Sequence, residues 1–168
     1  MGAPKRSAWR GLKTRRKSSY QPCGGDNMAD RFTTRAFRID DYEAAVQLWS
    51  RVEGVEIAEG DLPEEIEQFL SQNQDLSRVA QDGDKIIGAV LCGHDGRRGY
   101  IYHLAVEPAY QKRGLARKLV AECLDGLRRA RLRRVLILVA ADNPVGQAFW
   151  RRCGWEDVSE VNVMGIDL

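Results

Sequence analysis

The chain has 168 residues, enough for one domain with a hydrophobic core. Its 43% hydrophobic and 30% charged content excludes a wholly disordered chain. No apolar run approaches the roughly 20 residues of a membrane-spanning helix, and a formal net charge of +2 is too small to argue for nucleic acid.

Residues 1–28 read as a basic, disordered tail. Lys5, Arg6, Arg10, Lys13, Arg15, Arg16 and Lys17 stand among Pro, Gly and Ser with no apolar period. Met28 is an alternative start of the natural protein. Residues 29–168 are expected to form the folded domain.

"RFTTRAF" is short and β-prone. "IDDYEAAVQLWSRV" has helical spacing, with Asp40 and Glu43 placed for a capping box. "EGVEIAEGD" is a Gly-punctuated acidic loop, and "LPEEIEQFL" a short helix with Pro63 in its first turn. "LSRVAQ" and "KIIGAVLC" flank the hairpin signal Asp82-Gly83-Asp84, and "GHDGRRG" is a second hairpin loop before the strand "YIYHLAV".

A long amphipathic helix starts at Gly114. "RVLILVAA" reads as a central strand covered on both faces. Asn143 and Pro144 open a last helix, closed by Gly154, and "EVNVMGIDL" is expected as a final strand. The order β-α-α-β-β-β-α-β-α-β describes a mixed sheet with one parallel βαβ crossover.

The four cysteines are scattered and the two histidines, His94 and His103, are isolated, so no metal site is expected. Reduced thiols and the lack of a secretory signal point to the cytoplasm.

The most informative stretch is "QKRGLA", residues 111–116, between a strand and a helix. The first N–H groups of a helix lie outside its hydrogen-bond ladder, and the helix dipole adds positive potential there. Gly114 and Ala116 allow close approach, while Lys112, Arg113 and Arg117 add charge. A phosphate or pyrophosphate is the natural guest. Neither G-x-x-x-x-G-K-S/T nor G-x-G-x-x-G is present.

Q-x-x-G-x-A at a helix start resembles the acyl-CoA pyrophosphate motif, Q/R-x-x-G-x-G/A, of the GNAT superfamily of N-acetyltransferases. "YHLAVEPAYQKRGLARKLV" is similar to that family's central strand and pyrophosphate helix, and "DNPVGQAFWRRCGW" to its later segment. The likeness runs from about Arg31 to the C-terminus.

It implies an α/β (α+β mixed) fold: a mostly antiparallel mixed sheet with a splayed central strand pair and helices on both faces. It implies acetyl-CoA as co-substrate, with no metal, and direct acetyl transfer to a primary amine of a small molecule or protein N-terminus through a tetrahedral intermediate. Cofactor contacts implied are the backbone of Leu104, Ala105 and Val106, the turn Gln111, Lys112, Arg113, Gly114, Leu115, Ala116 and Arg117, and then Asn143 and Trp150.

Catalytic candidates are His103, Tyr102 and Glu56, with Glu59 and Asp61 as alternatives on the same acidic loop. Tyr102 stands where many relatives carry a Glu. Trp150 stands where many carry a Tyr that is proposed to protonate the leaving thiolate.

A non-catalytic acyl-CoA-binding regulatory module on the same fold is the other open reading. A nucleic-acid role for "RRARLRR", residues 128–134, lacks the interleaved aromatics such a surface uses. Partners are therefore acetyl-CoA and an amine, without membrane, and the chain is read as a monomer or homodimer.

Overall fold

The computed structural model describes residues 32–159 and 161–166. The expected tail lies outside them. The described residues divide into two compact units, one up to Asn143 and the other from Pro144 onward.

In the first unit a five-stranded sheet has the order β1-β2-β3-β4-β5. Its strands are β1 (Thr33–Ala36), β2 (Arg78–Asp82), β3 (Lys85–His94), β4 (Gly99–Val106) and β5 (Val135–Ile137). All neighbours pair antiparallel except β4 and β5, which are parallel. The helix α3 (Leu115–Arg129) makes the crossover between those two, as the sequence order requires.

The helices α1 (Tyr42–Trp49) and α2 (Pro63–Gln72) cover one face. Ala45, Leu48 and Trp49 of α1 and Ile66 of α2 pack with Val79, Ala89, Leu91 and Ala105 of the sheet. Helix α3 covers the other face with Leu115, Leu119, Val120, Cys123 and Leu127 buried. Glycines let these layers approach. A Cβ at Gly99 would lie 2.6 Å from Leu127 Cδ1, and one at Gly93 would lie 2.7 Å from Phe69 Cζ.

α1 is entered differently from the expected Asp40–Glu43 capping box. Asp41 is the acceptor, taking the Arg38 N–H at 2.9 Å and both Arg35 terminal nitrogens at 2.6 Å. The reason is burial: Asp41 is enclosed beside Arg35, whereas Asp40 is exposed. Burial alone would push the Asp41 carboxyl up, but the Arg35 hydrogen bond, the Arg38 N–H and the two positive charges outweigh it, so it is held below the ordinary range. The same pairing raises Arg35. α2 is capped by Glu65, which accepts the Leu62 N–H at 2.9 Å, behind Pro63.

Two expectations fail together. Val161–Ile166 forms no strand. Its alternating valines resemble a strand, but a strand exists only as a paired ladder; here Val163, Met164 and Ile166 are exposed and no ladder is made. With no further strand paired beyond it among the described residues, β5 is a sheet edge rather than a central strand. It is only three residues long and half-buried, and Leu138 after it is exposed.

The second unit contains α4 (Pro144–Arg152), closed by Gly154 at φ 84°. On it Trp150 packs edge-on against Phe149 at 5.2 Å and against Trp155 at 5.0 Å.

Candidate functional site

The site grows from an interruption in β4. β4 and β5 pair only at Gly99, Tyr100 and Ile101, and Tyr102 to Val106 continue without a β5 partner. The backbone edge of that stretch is therefore open, the splay the sequence pattern implies.

On its other edge β4 is bulged. Leu91 pairs with Tyr102 and Ala89 with Ala105, so His103 and Leu104 together oppose Val90. His103 sits at φ 51°, in the left-handed region where non-glycine residues are uncommon.

The bulge breaks the alternation of side chains. Tyr102 meets Phe69 of α2 edge-on at 6.2 Å and stacks with Tyr100 at 6.1 Å. His103, the next residue, meets Trp49 of α1 edge-on at 4.8 Å. Two consecutive side chains thus reach the same helical layer. Burial, reinforced by Tyr100 and Asp95, raises the Tyr102 hydroxyl, so it stays protonated and suits proton donation better than proton removal.

His103 Nε2 lies 2.8 Å from Asp61 Oδ1, at the end of the acidic loop between α1 and α2. Asp61 is itself fixed: its Oδ2 accepts the Ala58 N–H at 3.0 Å, and its carbonyl accepts the Tyr42 hydroxyl at 2.8 Å. Glu56 and Glu59 are exposed on the same loop, and Glu56 makes no hydrogen bond or ion pair with His103 or Tyr102. Of the loop acids, the structure brings Asp61 to the histidine.

Beyond β4 the chain turns through Pro108–Tyr110 into α3. Lys112 and Gly114 have φ 60° and 82°, and Gly114 is the N-cap residue. A Cβ at Gly114 would meet nothing within 4 Å. The glycine is required by its φ, and the space over the turn is open.

Leu115 is buried and anchors the helix, so only its backbone is available to a ligand; its N–H and that of Ala116 lie outside the intrahelical ladder. Arg113 holds its guanidinium 5.5 Å from the Tyr110 ring centre, and Lys112 and Arg117 are exposed. The Gln111 side chain donates from Nε2 to the Val106 carbonyl at 3.0 Å, tying the turn to the end of β4. Ala105 and Val106 bury their side chains and offer only backbone; Leu104 is half-buried.

Asn143 directly precedes α4. Its N–H donates to the Ala140 carbonyl at 3.1 Å, and a Cβ at Gly54 would lie 1.9 Å from its Nδ2. Gly54 is therefore what lets the α1–α2 loop reach Asn143. Trp150 belongs to the aromatic cluster of the second unit.

Sequence reasoning missed the bulge and the contact of Trp49 with His103. No local signal announces either feature; a histidine in left-handed backbone inside a strand has no motif. Among the described residues, no group of three or more His, Cys, Asp or Glu is placed to hold a metal, and no helix is long and apolar enough to cross a membrane.

An open strand edge leading to an uncapped helix start is the geometry that the motif resemblance implied, and comparison with known proteins agrees. The model of the acetyltransferase (GNAT) family matches residues 42–155. An acetyltransferase of Sodalis glossinidius is 30% identical over 134 residues, covering 80% of this chain and 94% of that protein.

An aminoglycoside acetyltransferase from an uncultured soil metagenomic sample, solved with sisomicin, superposes with a TM-score of 0.65 at 17% identity, covering 84% of this chain and 99% of that one. AAC(6')-Iy, solved with a bisubstrate analogue joining CoA to an acetylneamine, gives a TM-score of 0.65 at 16% identity, covering 82% and 99%. With the family match spanning most of the chain, and the bulged strand and helix turn inside it, the chain belongs to the acetyltransferase (GNAT) family.

Proposed function

We propose that this chain is an acetyl-CoA-dependent N-acetyltransferase that moves the acetyl group directly to a primary amine. The observation that carries the reading is the continuity of the open β4 edge, Tyr102 to Val106, with the α3 N-terminus. A pantetheine arm has two amides and can pair with the backbone of Leu104 to Val106 as an added strand. The pyrophosphate then falls on the turn, at the amides of Leu115 and Ala116 above Gly114, with Lys112, Arg113 and Arg117 supplying charge. Gln111 acts as a brace, and Asn143 flanks the cofactor from the β5 side.

A backbone N–H between Leu104 and Val106 holds the oxygen of the tetrahedral intermediate; donors of this kind are worth about 3 kcal/mol in other enzymes. His103 removes the proton of the incoming ammonium, and the protonated Tyr102 hydroxyl supplies the leaving thiolate. Glu56, exposed on the acidic loop, serves acceptor recognition through charge. The free thiols of Cys92, Cys123 and Cys153 support a reducing, cytoplasmic setting.

The test is calorimetric and kinetic. Acetyl-CoA should raise the melting temperature, and a panel of primary amines should release CoA thiol detectably with at least one member. Binding with no turnover on any amine would favour a non-catalytic acyl-CoA-binding module; no binding at all would reject the reading.

A further inference from the structure

We infer that Asp61 is the positioning residue that sets His103 as the acid–base group, with Nδ1 as the atom that receives the acceptor's proton. This rests on the acetyl-transfer reading above and adds to it a second residue, a named atom and a tautomer.

The geometry supports it in four ways. First, the Asp61 carboxylate can only accept, so the Nε2 facing it at 2.8 Å carries the hydrogen and Nδ1 carries the lone pair. Second, both Asp61 oxygens are used, one by Ala58 and one by His103, and the residue is held from its carbonyl by Tyr42. Held at two points other than the ring, one carboxylate oxygen and its carbonyl, Asp61 fixes the ring it meets. Third, Nδ1 makes no hydrogen bond among the described residues, and the His103 side chain keeps 18% exposure, so an acceptor can reach it.

Fourth, the position is strained. Left-handed backbone at a histidine costs of order 1–3 kcal/mol, and a residue that only filled the core would not require it. The bulge at His103 is what brings the ring onto Trp49 and Asp61. The indole N–H of Trp49, fully buried beside this ring, has no hydrogen-bond partner among the described residues.

The step balances as follows. The ammonium gives one proton to His103 Nδ1, and its freed lone pair forms the C–N bond at the thioester carbon. The C–S bond breaks with its electron pair going to sulfur. The second proton on nitrogen ends on the sulfur, and Nδ1 returns its proton to solvent.

Two measurements test this. The chain has two histidines, so long-range 1H–15N NMR assigns both rings readily. With the imidazole neutral, His103 should be the Nε2–H tautomer in the native protein. In Asp61→Asn the amide places a donor against Nε2, and the ring should switch to Nδ1–H. A native Nδ1–H tautomer overturns the proposal.

The second measurement is a double-mutant cycle on kcat with spermidine, kanamycin and peptides bearing a free α-amine. His103→Asn keeps a residue that tolerates left-handed backbone. Each single substitution should lower kcat by about a hundredfold, with the acetyl-CoA-induced melting shift retained. In the His103→Asn background, Asp61→Asn should cost less than about threefold more.

Losses that multiply in full would show that Asp61 acts independently of His103, and an Asp61→Asn kcat within about threefold of native would show that it does not act at all; either overturns the dyad. A native protein that fails to bind acetyl-CoA overturns the acetyl-transfer reading instead, so the two failures are distinguishable.

Discussion

The two ends of β4 obey different rules. From Gly99 to Ile101 the strand is paired on both sides, and Gly99 presses against Leu127 of α3. From Tyr102 to Val106 it is paired on one side, bulged, and carries a histidine in left-handed backbone. The first end has every backbone group committed to the sheet and can only support. The second leaves backbone groups and a polar side chain for something else to use. On the function proposed above, chemistry in this strand lies where the ladder fails, and the rigid half holds the failure in place.

The comparison breaks most visibly at the turn that follows the open end. Gly114→Asp places a carboxylate over the uncapped amides and forces a left-handed conformation on a residue less suited to it. At a hundredfold excess over its Kd, acetyl-CoA should stabilise the native protein by about 2.7 kcal/mol, and the substitution should remove that gain. An unchanged acetyl-CoA melting shift would separate the turn from cofactor binding.

The closed end should respond in the opposite currency. Gly99→Val drives a side chain into Leu127 and should cost about 2 kcal/mol of stability in chemical denaturation. Acetyl-CoA affinity of the folded fraction should remain native. A lost affinity with normal stability would invert the assignment of the two ends.

A smaller effect is expected at the start of α1, whose far end presents Trp49 to His103. Asp41 has a folded-state pKa below its unfolded value, so its contribution is present above the ordinary Asp range and is lost as pH falls through the lowered value. Asp41→Asn should cost about 1 kcal/mol near neutral pH, a figure reduced because Arg35 is partly exposed. The gap between native and variant stability should close as the solution is acidified; a gap independent of pH would assign the loss to packing.

The smallest change is expected outside the strand. Trp150 carries an indole N–H, which donates hydrogen bonds but is no proton source near neutral pH. Trp150→Phe should therefore keep kcat within about threefold of native. A hundredfold loss in a folded variant would give the indole a chemical role.

Much of this was legible in the sequence because it rests on local rules. The strand-turn-helix around Gly114, the Pro63 helix start and the Asp82-Gly83-Asp84 hairpin follow from φ requirements and periodicity, and all formed. The capping of α1 was misassigned by one residue because the winning acceptor, Asp41, was selected by a partner on β1, six positions away. β5 and the C-terminal segment were misread because a continuous or alternating apolar run records an affinity for a covered surface, not the presence of a partner strand. His103 and Asp61 were visible only as separate, alternative candidates; their pairing, over 42 positions, was not anticipated because nothing in a linear pattern reports a bulge.

The bond from Gln111 to the Val106 carbonyl has a further consequence. It makes the helix start and the strand end a single strut of fixed length. A ligand with an anion at one end and a reactive group at the other is then measured by that strut. One whose spacer matches meets the second contact at high effective concentration once the first is made. A short thioester without the nucleotide end, or a nucleotide without the arm, engages one end and gains nothing from the other. On the acetyl-CoA reading proposed above, discrimination between acyl donors is a matter of reach, set in part by one amide side chain.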